Sequence, residues 1–232
     1  MPEHAAEPKL IVFDMDGTLT AERFIFRLAY RFGFETRLKA IMARRTPEHE
    51  KTKTIAALLK GISAAETTET FRQIPLSPGA RETVKALKKD GHTLAIISDS
   101  YTIATEQLKE RLGFDYTLAN ELEIKEGRAT GAVKMPLNWP DGNSRCLRHA
   151  ICKLNAMLEL AEKTGIPPER TVAVGDNVAD VCMLREAGLG IAFNPKTRAV
   201  SRSADVSVTG DLAGILPIIR GWKPGQKPKT GP

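Results

Sequence analysis

The chain has 232 residues, 42% of them hydrophobic and 27% charged, and 34 basic against 28 acidic side chains give a formal net charge of +6. That length holds one sizeable core, or a main domain carrying a small second one. No apolar run approaches the roughly 18 to 20 residues that span a bilayer, and the polar stretch from Met1 to Lys9 lacks the apolar centre of a signal peptide, so the expected location is the cytoplasm.

The first strand is expected at Leu10-Ile11-Val12-Phe13, a short continuous apolar run. From Ala21 to Ile74 no strand is evident. Phe24, Leu28 and Phe32 recur at helical spacing, and Ile55, Leu58 and Leu59 mark another helix. Ala80, Val84 and Leu87 predict a helix that stops at Asp90-Gly91. A second strand follows at Leu94 to Ile97, then a helix carrying Ile103, Leu108 and Leu112. Glu121 to Lys134 reads as a hairpin turned at Glu126-Gly127. Met135 to Gly142, with two prolines and Trp139, reads as an exposed loop. A longer helix spans Ile151 to Ala161 and ends at Gly165. Thr171 to Val174 is a strand, Val178 to Ala187 a helix, and Gly190 to Phe193 and Val206 to Val208 are further strands.

Strands apolar at successive positions need cover on both faces, as in a parallel sheet. Their alternation with helices implies right-handed βαβ units. The expected fold class is therefore α/β, with a doubly wound, Rossmann-like parallel sheet and a small helical cap inserted after the first strand. The expected division is a core of residues 1–20 and 75–220, a cap of residues 21–74, and a disordered tail of residues 221–232. Three lysines and three prolines from Trp222 to Pro232 account for part of the positive charge, and they read as a loose end and not a nucleic-acid arm. The overall charge would steer anionic partners, but nucleic acid is not an expected one. Cys146, Cys152 and Cys182 form no C-x-x-C pair, so neither a disulfide framework nor a zinc knuckle is indicated.

The chemistry concentrates at strand ends. Asp14 and Asp16 follow the first strand in Asp14-Met15-Asp16-Gly17-Thr18, and Asp176 and Asp180 follow another in Gly175-Asp176-Asn177-Val178-Ala179-Asp180. Ligands of open α/β sheets bind at that edge. A lone strand-end aspartate is often a helix cap, and helix-dipole stabilisation accounts fairly well for Asp180. It does not account for two strands ending alike. Two carboxylates about 4 Å apart repel by about 4 kcal/mol at an effective dielectric of 20. An all-oxygen cluster of this kind asks for a hard cation, Mg²⁺ before Ca²⁺. Ser98-Asp99-Ser100 lies at a third strand end, where a hydroxyl and helix-start N–H groups could hold an anion or simply cap the helix. Lys153, alone, is an ordinary helical lysine.

Together, Asp14-x-Asp16-Gly-Thr, Ser98, Lys153 and Gly175-Asp176-x-x-x-Asp180 resemble, in order and approximate spacing, the four motifs of the haloacid dehalogenase superfamily. Within it the chain is most similar to the phosphoserine phosphatase branch, above all from Thr171 to Phe193 and from Pro78 to Ser98. The resemblance covers roughly residues 9–216. It implies a phosphomonoesterase acting on a small phosphorylated metabolite, with Mg²⁺ as cofactor. Asp14 would be the nucleophile, and Asp16 would protonate the leaving alcohol and then activate water. Asp14, the Asp16 main-chain carbonyl, Asp176 and Asp180 would hold the metal, Asp180 directly or through water. Ser98 and Lys153 would bind the phosphoryl oxygens.

Some positions depart from that branch. Arg23, with Glu22 beside it, stands where a glutamate usually meets the substrate ammonium. An expected arginine is missing near Ile55, although Lys51 and Lys53 are close. Ala179 replaces an asparagine. Asp99 adds negative charge at the phosphate site, where it would orient Lys153 or a second hydroxyl. The departures leave the chemistry and unsettle L-phosphoserine as the substrate. Two alternatives stand beside hydrolysis: transfer of the phosphoryl group to an alcohol acceptor, and a non-catalytic binding role for the same fold.

Overall fold

The structure is a computed structural model that describes residues 7–135 and 151–226. Its first strand, β1 (Leu10–Phe13), is buried throughout. Successive strand residues point to opposite faces. Ile11 and Phe13 accordingly join one apolar cluster, and Leu10 and Val12 join another. A strand with no polar face can exist only in the middle of a covered sheet.

The other strands are β2 (Thr93–Tyr101), β3 (Tyr116–Lys125), β4 (Arg128–Lys134), β5 (Thr171–Gly175), β6 (Leu189–Phe193) and β7 (Val206–Val208). They form a seven-stranded sheet in the order β4-β3-β2-β1-β5-β6-β7. Every neighbouring pair is parallel except β3 with β4. The helices are α1 (Phe24–Phe32), α2 (Glu35–Met42), α3 (Glu48–Ala57), α4 (Ala64–Arg72), α5 (Ala80–Lys89), α6 (Thr102–Leu112), α7 (Lys153–Thr164), α8 (Val181–Glu186), α9 (Arg198–Ser203) and α10 (Ile215–Gly221). Val84 and Leu87 of α5, Leu108 of α6 and Ile219 of α10 cover one face of the sheet. Met157 of α7, Leu184 of α8 and Val200 of α9 cover the other. This is the doubly wound α/β arrangement that the continuous apolar strands require.

Four helices, α1 to α4, fill the chain between β1 and α5. Phe24, Leu28, Phe34, Leu38, Leu59 and Phe71 continue the same apolar cluster that covers the first sheet face. Phe24 and Phe71 meet edge to face at 5.2 Å, a favourable aromatic geometry.

Several elements differ from their sequence-based expectations. The stretch from Tyr116 is a full sheet strand that runs on into the hairpin. The turn itself is where the sequence put it, with Glu126 and Gly127 at φ 50° and 73°. β2 continues to Tyr101, so Ser98, Asp99 and Ser100 lie within its last turn-free stretch. α7 begins at Lys153 and not at Ile151. The helix expected from Val178 splits into a 3-10 turn, Val178–Asp180, followed by α8. Trp222 does not lie in a loose tail: it is 6% exposed, and its Nε1 donates to the Gln226 carbonyl at 2.9 Å. The expected loop beyond Met135, with Trp139, lies outside the described residues, as does Cys146. Among the described residues no helix is long and apolar enough to cross a membrane.

Candidate active site

Strand register assembles the site. Phe13 is paired with Ile96 of β2 on one side and with Val174 of β5 on the other. Asp14, just past β1, Asp176, just past β5, and Ser98, within β2, therefore lie toward the same C-terminal edge of the sheet. The Asp14 amide donates to the Val174 carbonyl at 2.9 Å, which carries the ladder one step past β1. The chain then turns at Gly17, whose φ of 92° suits glycine. A Cβ there would also lie 2.4 Å from Asp176 Oδ2. The second close approach is at Gly175, where a Cβ would fall 2.5 Å from Asp180 Cγ. Both motif glycines are thus required by the carboxylates that they stand against. Gly175→Ala is expected to push Asp180 aside and weaken divalent-cation affinity about tenfold or more, read by calorimetric titration with Mg²⁺.

Three carboxylates converge. Asp14, Asp176 and Asp180 each offer an oxygen within 4.8 Å of the other two, and all three are buried. Lys153 closes the cluster from the first turn of α7: its Nζ donates to Asp14 Oδ1 and to Asp180 Oδ1, both at 2.6 Å. Lys153 is itself only 2% exposed. The other oxygen of Asp180 accepts from the backbone N–H groups of Asp176 at 3.0 Å and Asn177 at 2.9 Å. Asp180 therefore does cap its helical turn, and it joins the cluster as well.

The electrostatics follow from burial. Desolvation pushes the Asp14 carboxyl well above the usual carboxylate range, the Asp180 charge adds to this, and Lys153 offsets part of it. Asp176 is raised for the same first two reasons. Burial alone would lower the Lys153 ammonium, but Asp14 and Asp180 outweigh it and hold the proton more tightly than usual. Fully ionised, three carboxylates against one ammonium would leave two negative charges in a buried space. Lys196, 3.7 Å from Asp176 Oδ2, is 56% exposed and screened by water. At 4.8 Å and an effective dielectric of 20, each carboxylate pair still repels by roughly 3 to 4 kcal/mol. An all-oxygen donor set with this imbalance fits a hard divalent cation.

Asp16 stays outside the cluster with its side chain. Its Oδ1 accepts from the Phe24 amide at 2.9 Å. Arg23, at the N-cap of α1, makes no side-chain cap bond, so Asp16 supplies one from across the site. Burial pushes the Asp16 carboxyl up to about 6, against the Phe24 amide and the Arg23 charge. A group poised there can hold a proton and release it near neutrality.

Ser98 is fully buried, and its Oγ accepts from the Ser100 amide at 3.1 Å. Asp99 lines the cavity beside the site. It makes no hydrogen bond to Lys153 among the described residues: Asp14 and Asp180 orient that lysine instead. The Asp99 carbonyl is held by Asn120 Nδ2 at 2.6 Å. Sequence reasoning missed Asn120, a buried polar residue in the middle of β3, whose first half was not expected as a strand. The cavity itself has a volume of about 460 Å³ and opens between Asp16, Asp99 and the inserted helices α1 to α3. Arg23, Lys51 and Ile55 line it; Glu22 pairs outward with Arg27 at 3.7 Å, and Lys53 is tied to Glu50.

Known proteins place this arrangement. Residues 11–185 match the family model of the haloacid dehalogenase-like hydrolases. The chain is 36% identical over 219 residues to a phosphoserine phosphatase of Archaeoglobus fulgidus, covering 92% of this chain and 60% of that protein's length. It is 34% identical over 221 residues to the phosphoserine phosphatase of Methanocaldococcus jannaschii, covering 91% of this chain and 98% of that one. Among solved structures, a phospho-aspartyl intermediate analogue of phosphoserine phosphatase superposes with a TM-score of 0.78 at 33% identity, over 91% of this chain and 99% of that one. The ordered motifs, the sheet and these likenesses agree, and the chain belongs to the haloacid dehalogenase-like hydrolase family.

Proposed function

We propose that this protein is a Mg²⁺-dependent phosphomonoesterase that hydrolyses a small phosphorylated metabolite through a phospho-enzyme intermediate on Asp14, and that it acts in the cytoplasm. The observation that carries the reading is the buried cluster of Asp14, Asp176, Asp180 and Lys153, next to a cavity lined by Asp16 and by Asn177, whose amide donates to Asp180. A cluster built only for stability would be better served by apolar side chains. The relatives named above, phosphoserine phosphatases, support the reaction class.

Each residue has a task in that reaction. Asp14 attacks phosphorus, and the bond from phosphorus to the ester oxygen breaks. Asp16 gives its proton to the departing alcohol oxygen. Its Oδ1 is engaged by the Phe24 amide, which leaves Oδ2 as the oxygen that carries the proton. Once ionised, Asp16 takes a proton from water, which then attacks the phosphorus of the aspartyl phosphate and restores Asp14. Splitting one displacement into two steps in this way is the value of a carboxylate nucleophile. Lys153, already fixed beside Asp14, and Ser98 bind the phosphoryl oxygens. Asp14, Asp176 and Asp180, with the main-chain carbonyl of Asp16, would hold Mg²⁺. When bound it supplies charge neutralisation for an anionic nucleophile meeting an anionic ester. The helices α1 to α4 act as a cap over the α/β core that excludes water and reads the alcohol.

Hydrolysis of a generic aryl phosphate tests this reading. Stripping divalent ions with a chelator is expected to abolish turnover, and added Mg²⁺ to restore it. Turnover that persists in excess chelator would count against the metal assignment.

A further inference from the structure

The cavity wall contains a cation that makes no ion-pair contact among the described residues. Lys51 also lines the cavity, but its ammonium is tied to Glu48 at 2.8 Å. Arg23, half-buried, forms no salt bridge among the described residues, and its buried Nε has no hydrogen-bond partner. Its guanidinium rests over the Phe26 ring, 5.4 Å from the centroid. Such stacking supports the plane and leaves its donors free. Asp16 and Asp99 line the same cavity and lie close enough to favour the charged guanidinium, yet neither pairs with it. A partly desolvated guanidinium with unused donors is costly, and an arriving anion recovers that cost with charge-assisted bonds.

Position decides which part of a ligand Arg23 meets. Its neighbour Phe24 gives the amide that Asp16 holds. Arg23 therefore stands on the Asp16 side of the site, where proton transfer would meet the leaving alcohol. Ile25, Met42, Ile55 and Ile151 supply apolar lining. A volume of about 460 Å³ lies in the range of roughly 300 to 1,000 Å³ usual for small-molecule sites. It admits an alcohol larger than a few atoms.

We propose that Arg23 is the specificity-determining residue of this site: it pairs with an anionic group on the leaving alcohol, a carboxylate or a second phosphate, and so selects against phosphate esters of amino alcohols. The assignment rests on the phosphatase reading for what sits at Asp14, but the anion contact itself does not require turnover.

A matched two-carbon series tests it, in the presence of Mg²⁺: phosphoglycolate, ethylene glycol bisphosphate, ethylene glycol monophosphate and phosphoethanolamine. The first two separate a carboxylate from a second phosphate as the anion recognised. The better of these is expected to exceed the neutral ester about tenfold or more in kcat/KM, with the ammonium ester last. Arg23→Gln is expected to bring the anionic-to-neutral ratio close to one through KM, Arg23→Lys to keep part of it, and Arg23→Glu to invert it. The lysine variant keeps the test open if the uncharged variant does not fold. Calorimetric binding of the same four esters to Asp14→Asn gives the preference without hydrolysis. No anion preference in the wild type, in turnover or in binding, would overturn the assignment. So would an Arg23→Gln variant that loses kcat equally on all esters with the ratio intact. Anion-selective binding without turnover refutes the phosphatase reading and retains Arg23's role; turnover without selectivity does the reverse.

Discussion

Asp14→Asn is expected to lower kcat on any phosphate ester by about 10⁴-fold or more, the scale of losing a nucleophile, while the fold keeps or gains stability. The two halves of this result have different causes. An amide nitrogen or oxygen cannot form and release the phosphoryl bond as the carboxylate does. The amide oxygen can still accept from Lys153 Nζ, which now lies 2.6 Å from Asp14 Oδ1. Removing one negative charge also relieves repulsion among three buried carboxylates. In metal-free buffer the unfolding midpoint should therefore equal or exceed that of the wild type. Activity and stability must be measured together. A variant that is inactive because it is unfolded says nothing about the nucleophile, and near-normal turnover would remove Asp14 from the chemistry.

Lys153→Met is expected to do the opposite to stability. It keeps an unbranched side chain of similar reach and removes the only buried cation of the cluster among the described residues. Breaking a buried ion pair from one side costs about 3 to 5 kcal/mol, because Asp14 and Asp180 remain desolvated without their donor. The loss should be largest without divalent ions. Mg²⁺ at about 100 times its dissociation constant should return about 2.7 kcal/mol. If Lys153 binds the phosphoryl group as proposed, its removal should also cost about 100- to 1,000-fold in kcat. Denaturant titration with and without Mg²⁺, alongside kcat, reads both effects. An unchanged midpoint would mean that the lysine does not neutralise the cluster.

The sheet was legible because its strands have no polar face. β1, β5 and β6 are buried at every position, so their apolar runs are continuous in the sequence. β3 was not legible as a sheet strand. Its first three residues are only partly buried, and it continues into a solvent-exposed hairpin, so its pattern changes midway. The inserted helices were half legible for a related reason. α4 buries Thr67 and Thr70, whose hydroxyls donate to the Ser63 and Glu66 carbonyls of their own helix. Threonines satisfied in this way occupy core positions without looking apolar.

Within the site, Asp14, Asp16, Asp176 and Asp180 could be read from strand ends alone. Lys153 could not: a lysine in the first turn of a helix carries no local mark, and only the family resemblance singled it out. What puts it in place is a contact across 139 residues of sequence. Arg23 was visible only as a departure, and its significance depends on the absence of a partner, which only the structure could supply.

Chemical trapping tests the central claim most directly. The wild-type enzyme is mixed with an ester that it hydrolyses, quenched within a turnover and reduced with borohydride, which converts an aspartyl phosphate to homoserine. Peptide mass spectrometry is then expected to find homoserine at position 14, dependent on substrate and absent from the Asp14→Asn variant. Turnover accompanied by homoserine at Asp16, or by none at any aspartate, would contradict the account.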